Sequence, residues 1–156
     1  MSTEILGLNE IKINELTVDL NELLANYQVY YQSLRGLHWN IKGKNFFQLH
    51  VKFEELYNDS QVKIDEIAER ILTLEGEPIH TFDDYTSLAK VPVGKSISKD
   101  VAAVNLIVTS LKELIKIERN ILDKSAEADD EGTNAMMSGF ISEQEKTLWM
   151  FKSWLS

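Results

Sequence analysis

Four residues of metal-ligand type, His38, His50, Asp65 and Glu69, are strung along one stretch of the chain. Imidazole and carboxylate together suit Fe(II), and a set of few histidines plus carboxylates leaves coordination positions open to an oxidant. Zn(II) could take the same ligands but has no redox chemistry and would be a non-productive occupant. His50, Asp65 and Glu69 fall in a segment that reads as one long helix. Fifteen positions separate His50 from Asp65, roughly 22 Å along a helix axis at about 1.5 Å per residue. One ion with ligand bonds of about 2 Å cannot touch both. Either these residues do not share a site, or two copies of the chain share it; the second is the expectation.

With His50 at 0° on a helical wheel, Glu54 falls near ~40°, Asp65 near ~60° and Glu69 near ~100°. The apolar residues Leu49, Phe53, Leu56, Ile64, Ile67 and Ile71 cluster at roughly 240–320°. The candidate ligands therefore occupy their own stripe, which they share with Ala68 and Leu72. A stripe mixing ligands with apolar residues predicts a contact surface. If two such helices pair antiparallel around a two-fold axis, His50 of one comes beside Asp65 and Glu69 of the other, giving two identical sites per dimer. A further stripe, Glu55, Asp59 and Glu66, is either a solvated acidic face or the lining of a hollow assembly that gathers cations.

Each candidate has a plainer reading. A lone histidine near a helix is often structural, and an i,i+4 carboxylate pair such as Asp65/Glu69 is common on any helix. No basic residue lies four positions from either carboxylate in the sequence, so the pair is mildly repulsive without an external cation. Glu77-Pro78-Ile79-His80 matches the Glu-x-x-His pattern of metal sites inside helical bundles. Gly76 and Pro78 break the helix that would present both side chains, so His80 is assigned to a loop. Trp39 is either an aromatic packing residue or an oxidisable neighbour of the site. Tyr27, Tyr30, Tyr31 and the pair Phe46-Phe47 read as core or interface.

The elements that must position these residues are helical. The chain has 156 residues, 44% hydrophobic and 26% charged, with only 7 Gly and 2 Pro, which suits one all-α domain over residues 1–156. A first helix carries Leu16, Leu20, Leu23, Leu24, Tyr27, Tyr31 and Leu34 and is expected to end near Gly36. A second runs from Asn45, a plausible N-cap, to about Leu74. Residues 77 to 97 form a connector in which 83–88 read as a short helix. A third helix starts near Ser98 and ends at the run Ala128–Gly132; a fourth starts near Thr133. Four helices with one long connection between the second and third describe a ferritin-like bundle.

The absence of cysteine excludes disulfides and thiolate metal sites and fits a cytoplasmic protein. No apolar run is long enough to span a membrane, and Met1-Ser2-Thr3-Glu4 does not read as a signal peptide. The net charge of −9 repels nucleic acid unless lysines and arginines concentrate somewhere, and neither terminus supplies them.

The stretches Leu37-His38-Trp39-Asn40-Ile41-Lys42-Gly43, Asn45-Phe46-Phe47-Gln48-Leu49-His50, Phe53-Glu54-Glu55-Leu56-Tyr57 and Asp65-Glu66-Ile67-Ala68-Glu69-Arg70-Ile71 resemble the Dps family of mini-ferritins, named as DNA-binding proteins from starved cells. The likeness extends over essentially the whole chain, to Glu145-Lys146 and Leu148-Trp149-Met150-Phe151. It implies a four-helix bundle with a short extra helix in the connector, and a homo-dodecameric hollow cage. It implies a ferroxidase centre at each two-fold interface, with His38 and His50 from one subunit and Asp65 and Glu69 from its partner. Glu54 matches a further acidic position assigned to a second, weaker iron site. The implied substrates are Fe(II) and hydrogen peroxide or O2, with two Fe(II) oxidised per peroxide and ferric mineral stored inside as protection against oxidative damage. Trp39 is then a candidate radical relay, and Glu55, Asp59 and Glu66 are candidates for nucleating mineral.

Two departures stand out. Thr133 is followed by Asn134-Ala135, where many members carry an acidic residue at an entry pore, so pore acidity must rest on Asp129, Asp130, Glu131 or Glu145. The Lys-rich tail through which some members bind DNA is missing. An iron-oxidising cage is the leading reading. A nucleoid DNA-binding and protecting protein is the alternative, with DNA binding not expected at neutral pH. A plain helical interaction protein is the third.

Overall fold

A computed structural model describes residues 3–156. After a 3-10 turn at Thr3–Leu6 come α1 (Glu10–Asn40), α2 (Phe46–Thr73), α3 (Phe82–Leu88), α4 (Asp100–Glu127) and α5 (Glu131–Trp154). This is the all-α, ferritin-like four-helix bundle with a short helix in its long connection. Helix α1 packs on α2 and α4, and α4 on α5. The core is built from the predicted stripes: Leu16, Leu20, Leu23 and Tyr27 of α1, Phe53, Ile67 and Ile71 of α2, and Leu114 and Ile121 of α4 are sealed from solvent. Among the described residues no helix is long and apolar enough to cross a membrane.

Helix α1 does not stop at Gly36. It runs on to Asn40, because Leu34, Leu37 and Ile41 continue the buried stripe past the glycine. Burying those side chains, each worth about 1.5–3 kcal/mol, outweighs the penalty of about 1 kcal/mol for an interior glycine. The extension places His38 on a helix rather than in a loop. Asn45 precedes α2 as expected, but its side chain does not cap it. It donates instead to Asp100 Oδ2 at 2.7 Å, tying the start of α2 to the start of α4.

Helix α2 ends in a Schellman-type turn. Gly76 N–H donates to Ile71 C=O and Glu75 N–H to Leu72 C=O, with Glu75, not a glycine, at φ 65°. Gly76 has a different role: a Cβ there would lie 2.4 Å from Thr17 Cγ2, so its lack of a side chain lets the chain press against α1. The connector is then laced to α1. Asn21 accepts from Ile79 N–H, buried Asn26 accepts from Lys90 and Val91 N–H, and Ser33 accepts from Gly94 N–H. Polar residues of α1 thereby satisfy backbone groups that a long loop leaves unpaired.

Candidate metal centre

His38 lies in the last turn of α1 and His50 in the second turn of α2. The two rings stack, with centroids 3.7 Å apart and planes 16° off parallel. Each ring's Nδ1 donates to the other residue's backbone carbonyl, His38 to His50 at 2.7 Å and His50 to His38 at 2.8 Å. A carbonyl can only accept, so both Nδ1 atoms carry the proton. In the neutral rings both Nε2 lone pairs are then left bare, the form in which imidazole binds a metal. Phe46 stacks on the outer face of His50 at 4.9 Å, and Tyr57 meets His38 edge-on at 5.3 Å. His38 is buried and His50 half-buried.

The carboxylates stand elsewhere. Helix α2 is unbroken from Phe46 to Thr73, so Asp65 and Glu69 lie about four and about five helical turns beyond His50. Both are exposed, as is Glu54. None of the three forms an ion pair with another described residue. Among the described residues no single-chain group of three or more His, Asp or Glu side chains could hold a metal ion. One chain brings the two histidines together and keeps Asp65 and Glu69 apart from them. Leu72, on the ligand stripe, is 58% exposed, and Ala68 is half-buried.

The remaining candidates divide. Trp39 does not pack in the core; it is 58% exposed, with the Arg35 guanidinium 4.8 Å over its ring. Phe47 is exposed, while Tyr27 and Tyr30 are buried. His80 is an exposed connector residue. On the acidic stripe, Glu55 pairs with Lys52 and Asp59 with Lys63, so only Glu66 is left without a lysine or arginine.

Of the pore candidates, Asp129 and Glu131 are exposed, and Glu145 pairs with Arg119. Asp130 is not a surface residue. It is 2% exposed, caps α5 by accepting from Thr133 N–H at 3.0 Å, and pairs with Arg70 at 2.5 Å. Asp-x-x-Thr before a helix is a capping pattern, and that signal was available in the sequence. The Arg70 guanidinium lies against Gly132, where a Cβ would come 2.7 Å from an Arg70 nitrogen and displace it.

Sequence reasoning missed Glu118. Its side chain is fully buried in the bundle, and burial pushes its carboxyl up to about 7. The signal was an acid on the apolar stripe of α4, three and four positions from Leu114, Ile121 and Leu122.

A ferritin-like domain model matches residues 18–156. The crystal structure of a Dps protein from Vibrio cholerae O1 superposes with a TM-score of 0.97 at 46% identity, covering 100% of this chain and 98% of that one. The chain belongs to the Dps family. The V. cholerae Dps is described as a member of a broad superfamily of ferritin-like diiron-carboxylate proteins. Dps from Staphylococcus aureus matches with a TM-score of 0.89 at 35% identity, over 92% of this chain and 96% of that one. Among curated Dps relatives, the DNA protection during starvation protein of Porphyromonas gingivalis is 40% identical, over 97% of this chain and 95% of that protein.

Proposed function

We propose that this Dps-family protein is a ferroxidase and iron-storage cage whose oxidation sites form between subunits. Two chains pair antiparallel along α2. His38 and His50 of one protomer then face Asp65 and Glu69 of its partner, and symmetry makes two such sites. Twelve chains enclose the store, as the family resemblance implies.

The observation that carries this reading is the histidine pair. Reciprocal Nδ1–H bonds to backbone carbonyls fix both rings and leave both Nε2 atoms free, while Asp65 and Glu69, which would complete the set, lie about 22 and about 28 Å away along one unbroken helix. In the chemistry, the iron is substrate. The imidazoles offer neutral nitrogen donors, and Asp65 and Glu69 offer negative oxygen donors, which favour Fe(III) over Fe(II) and so help drive oxidation. Two Fe(II) give one electron each to one hydrogen peroxide. With two further waters the products are two FeO(OH) and four protons, and no hydroxyl radical is released. Phe46 stacked on His50 and Tyr57 edge-on to His38 hold the two rings in place. Glu54, one turn from His50 on the same stripe, is assigned to holding a second iron.

Mixing tests the shared site. A His38→Ala/His50→Ala chain and an Asp65→Ala/Glu69→Ala chain are each expected to be inactive. Co-refolded, they should recover activity, because mixed dimers contain one intact site. Mixtures no more active than their parents would place the reaction elsewhere.

A further inference from the structure

The large apolar side chains that α2 leaves exposed share one stripe. Phe47 is 81% exposed, Val51 53%, Val62 58% and Leu72 58%. On the wheel that puts His50 at 0°, they fall at about 60°, 100°, 120° and 40° in that order. This is the arc of Glu54, Asp65 and Glu69. Large apolar groups gathered this far out of the core mark a contact surface. The stripe is continuous with the histidine pair, because the Phe47 ring meets Phe46 at 5.3 Å and Phe46 stacks on His50 at 4.9 Å.

The order of residues along the stripe decides how a second copy fits. In an antiparallel pair about a two-fold axis, His50 can stand level with Asp65 or with Glu69 of the partner, and either serves a shared site. The two registers differ by four positions, about one helical turn. With His50 level with Glu69, Phe47 stands level with Leu72, Val51 with Ala68, and Val62 with half-buried Tyr57. Each exposed apolar residue then meets an apolar or aromatic one, and exposed Asn58 meets exposed Gln61. Glu54 stands level with Asp65, next to His50 and Glu69, so the proposed ligands of α2 gather between the apolar contacts. With His50 level with Asp65, Leu72 instead reaches the level of Gly43, before α2 begins. A slide of one turn the other way takes Phe47 to the level of Gly76, beyond the end of α2. One register alone uses the whole stripe.

We infer that Phe47 of one protomer packs on Leu72 of its partner, twice per dimer, and that this clasp sets the register in which His50 stands level with Glu69. The occupant of the stripe is a second copy of this chain, because the stripe is complementary to itself end for end. Phe47 and Leu72 are positioning residues: they bracket the ligands and offer no donor of their own. Apolar contacts form without metal, so the clasp closes before iron arrives and presents the ligands to it. The antiparallel pairing is that of the ferroxidase reading above, on which this inference rests; the register is measured without iron.

Engineered thiols test the register on the full-length, metal-free protein, which has no cysteine of its own. Val51→Cys/Ala68→Cys should give covalent dimers under mild oxidation, read on a denaturing gel. These two positions are about 25 Å apart on one helix, so the bond must join two chains. Glu54→Cys/Gln61→Cys, level only when His50 stands level with Asp65, should give several-fold less. Adding Phe47→Ala to the first pair should cut its yield several-fold, and adding Leu72→Ala as well should cut it no further, since both remove one contact. Phe47 is exposed in the single chain, so circular dichroism should show the helices intact. No covalent dimer from Val51→Cys/Ala68→Cys would mean that something other than a second copy in this register covers the stripe. Equal yield from the displaced pair, or a yield indifferent to Phe47→Ala, would mean that the clasp does not set the register. Each of these results overturns the proposal. A register upheld here while the histidine and carboxylate chains fail to complement would instead reject the ferroxidase reading alone.

Discussion

His38 and His50 hold each other through the main chain: each ring donates from Nδ1 to the other's carbonyl, at 2.7 and 2.8 Å. Because the acceptor is backbone, replacing one histidine leaves the other's hydrogen bond available. Each single alanine substitution should therefore remove one ligand and leave its neighbour's tautomer unchanged. Co(II) affinity is expected to fall by about tenfold or more in each variant, measured by titration calorimetry. Nitrogen-15 spectra of the neutral rings should show the Nδ1–H form at both positions. Unaltered Co(II) affinity in either variant would remove that residue from the site.

Trp39 follows His38 directly but faces outward over Arg35. In a Trp149→Phe/Trp154→Phe background its fluorescence should be quenched by Fe(II) added without oxygen. An unchanged spectrum through the titration would place the indole away from the metal.

Glu118 should make stability depend on pH. Its carboxyl is raised from an ordinary value of 4.5 to about 7 by burial. The folded state thus holds a proton that the unfolded chain releases. This contribution is fully present below about pH 4.5 and is lost as pH rises through about 7. Glu118→Gln stays neutral throughout, so its stability relative to wild type should improve across that window, by on the order of 3 kcal/mol, and level off above it. Chemical denaturation at fixed protein concentration and a series of pH values reads the difference. A flat difference from pH 5 to 8 would mean that Glu118 titrates normally.

Asp129 and Asp130 are neighbours with opposite expected sensitivities. Asp130→Asn removes the charge facing Arg70 and weakens the cap on α5, and should cost about 2 kcal/mol, seen as a lower Tm. Asp129 is exposed at φ 56°, a conformation asparagine tolerates well. Asp129→Asn should be close to neutral. Equal Tm values for the two variants would contradict the division.

DNA should not bind at neutral pH and moderate salt. The chain carries −9, and the proposed assembly of twelve would multiply that repulsion, screened beyond about 10 Å. Lys42 and Lys44 are exposed, but nearby Lys52 is paired with Glu55. Protection of DNA, as in the name of the P. gingivalis relative, needs no contact if Fe(II) and peroxide are consumed together. Gel shifts of duplex DNA at pH 7.5 without divalent cations check this; tight binding there would favour a nucleoid role. Acid pH or Mg²⁺ is expected to permit association.

The helices, the connector helix and the stripe separating the candidate ligands from the core were legible because hydrophobic period reports which face is buried. The separation of His50 from Asp65 followed from helix rise alone. Three features were not legible, each for a physical reason. Gly36 signals a helix end locally, but Leu37 and Ile41 find tertiary partners that carry α1 past it. Asp130 carries a capping signal in the sequence, but its ion pair with Arg70, 60 positions away, appears only once the helices are packed. Lys63 and Glu118 are charged residues whose burial follows only from the helices packed over them.

The unbroken span of α2 has a consequence for timing. A chain fresh from synthesis carries both halves of the proposed reaction site at fixed separation, and no bend of its own can close the gap. Under the proposed pairing, iron oxidation is a second-order event in protein. Specific activity should fall on dilution below the dimer's dissociation constant, and scattered single chains should be inert toward Fe(II) and peroxide. Oxidant and iron then react only after subunits have met, where a compartment is being built to receive the insoluble product.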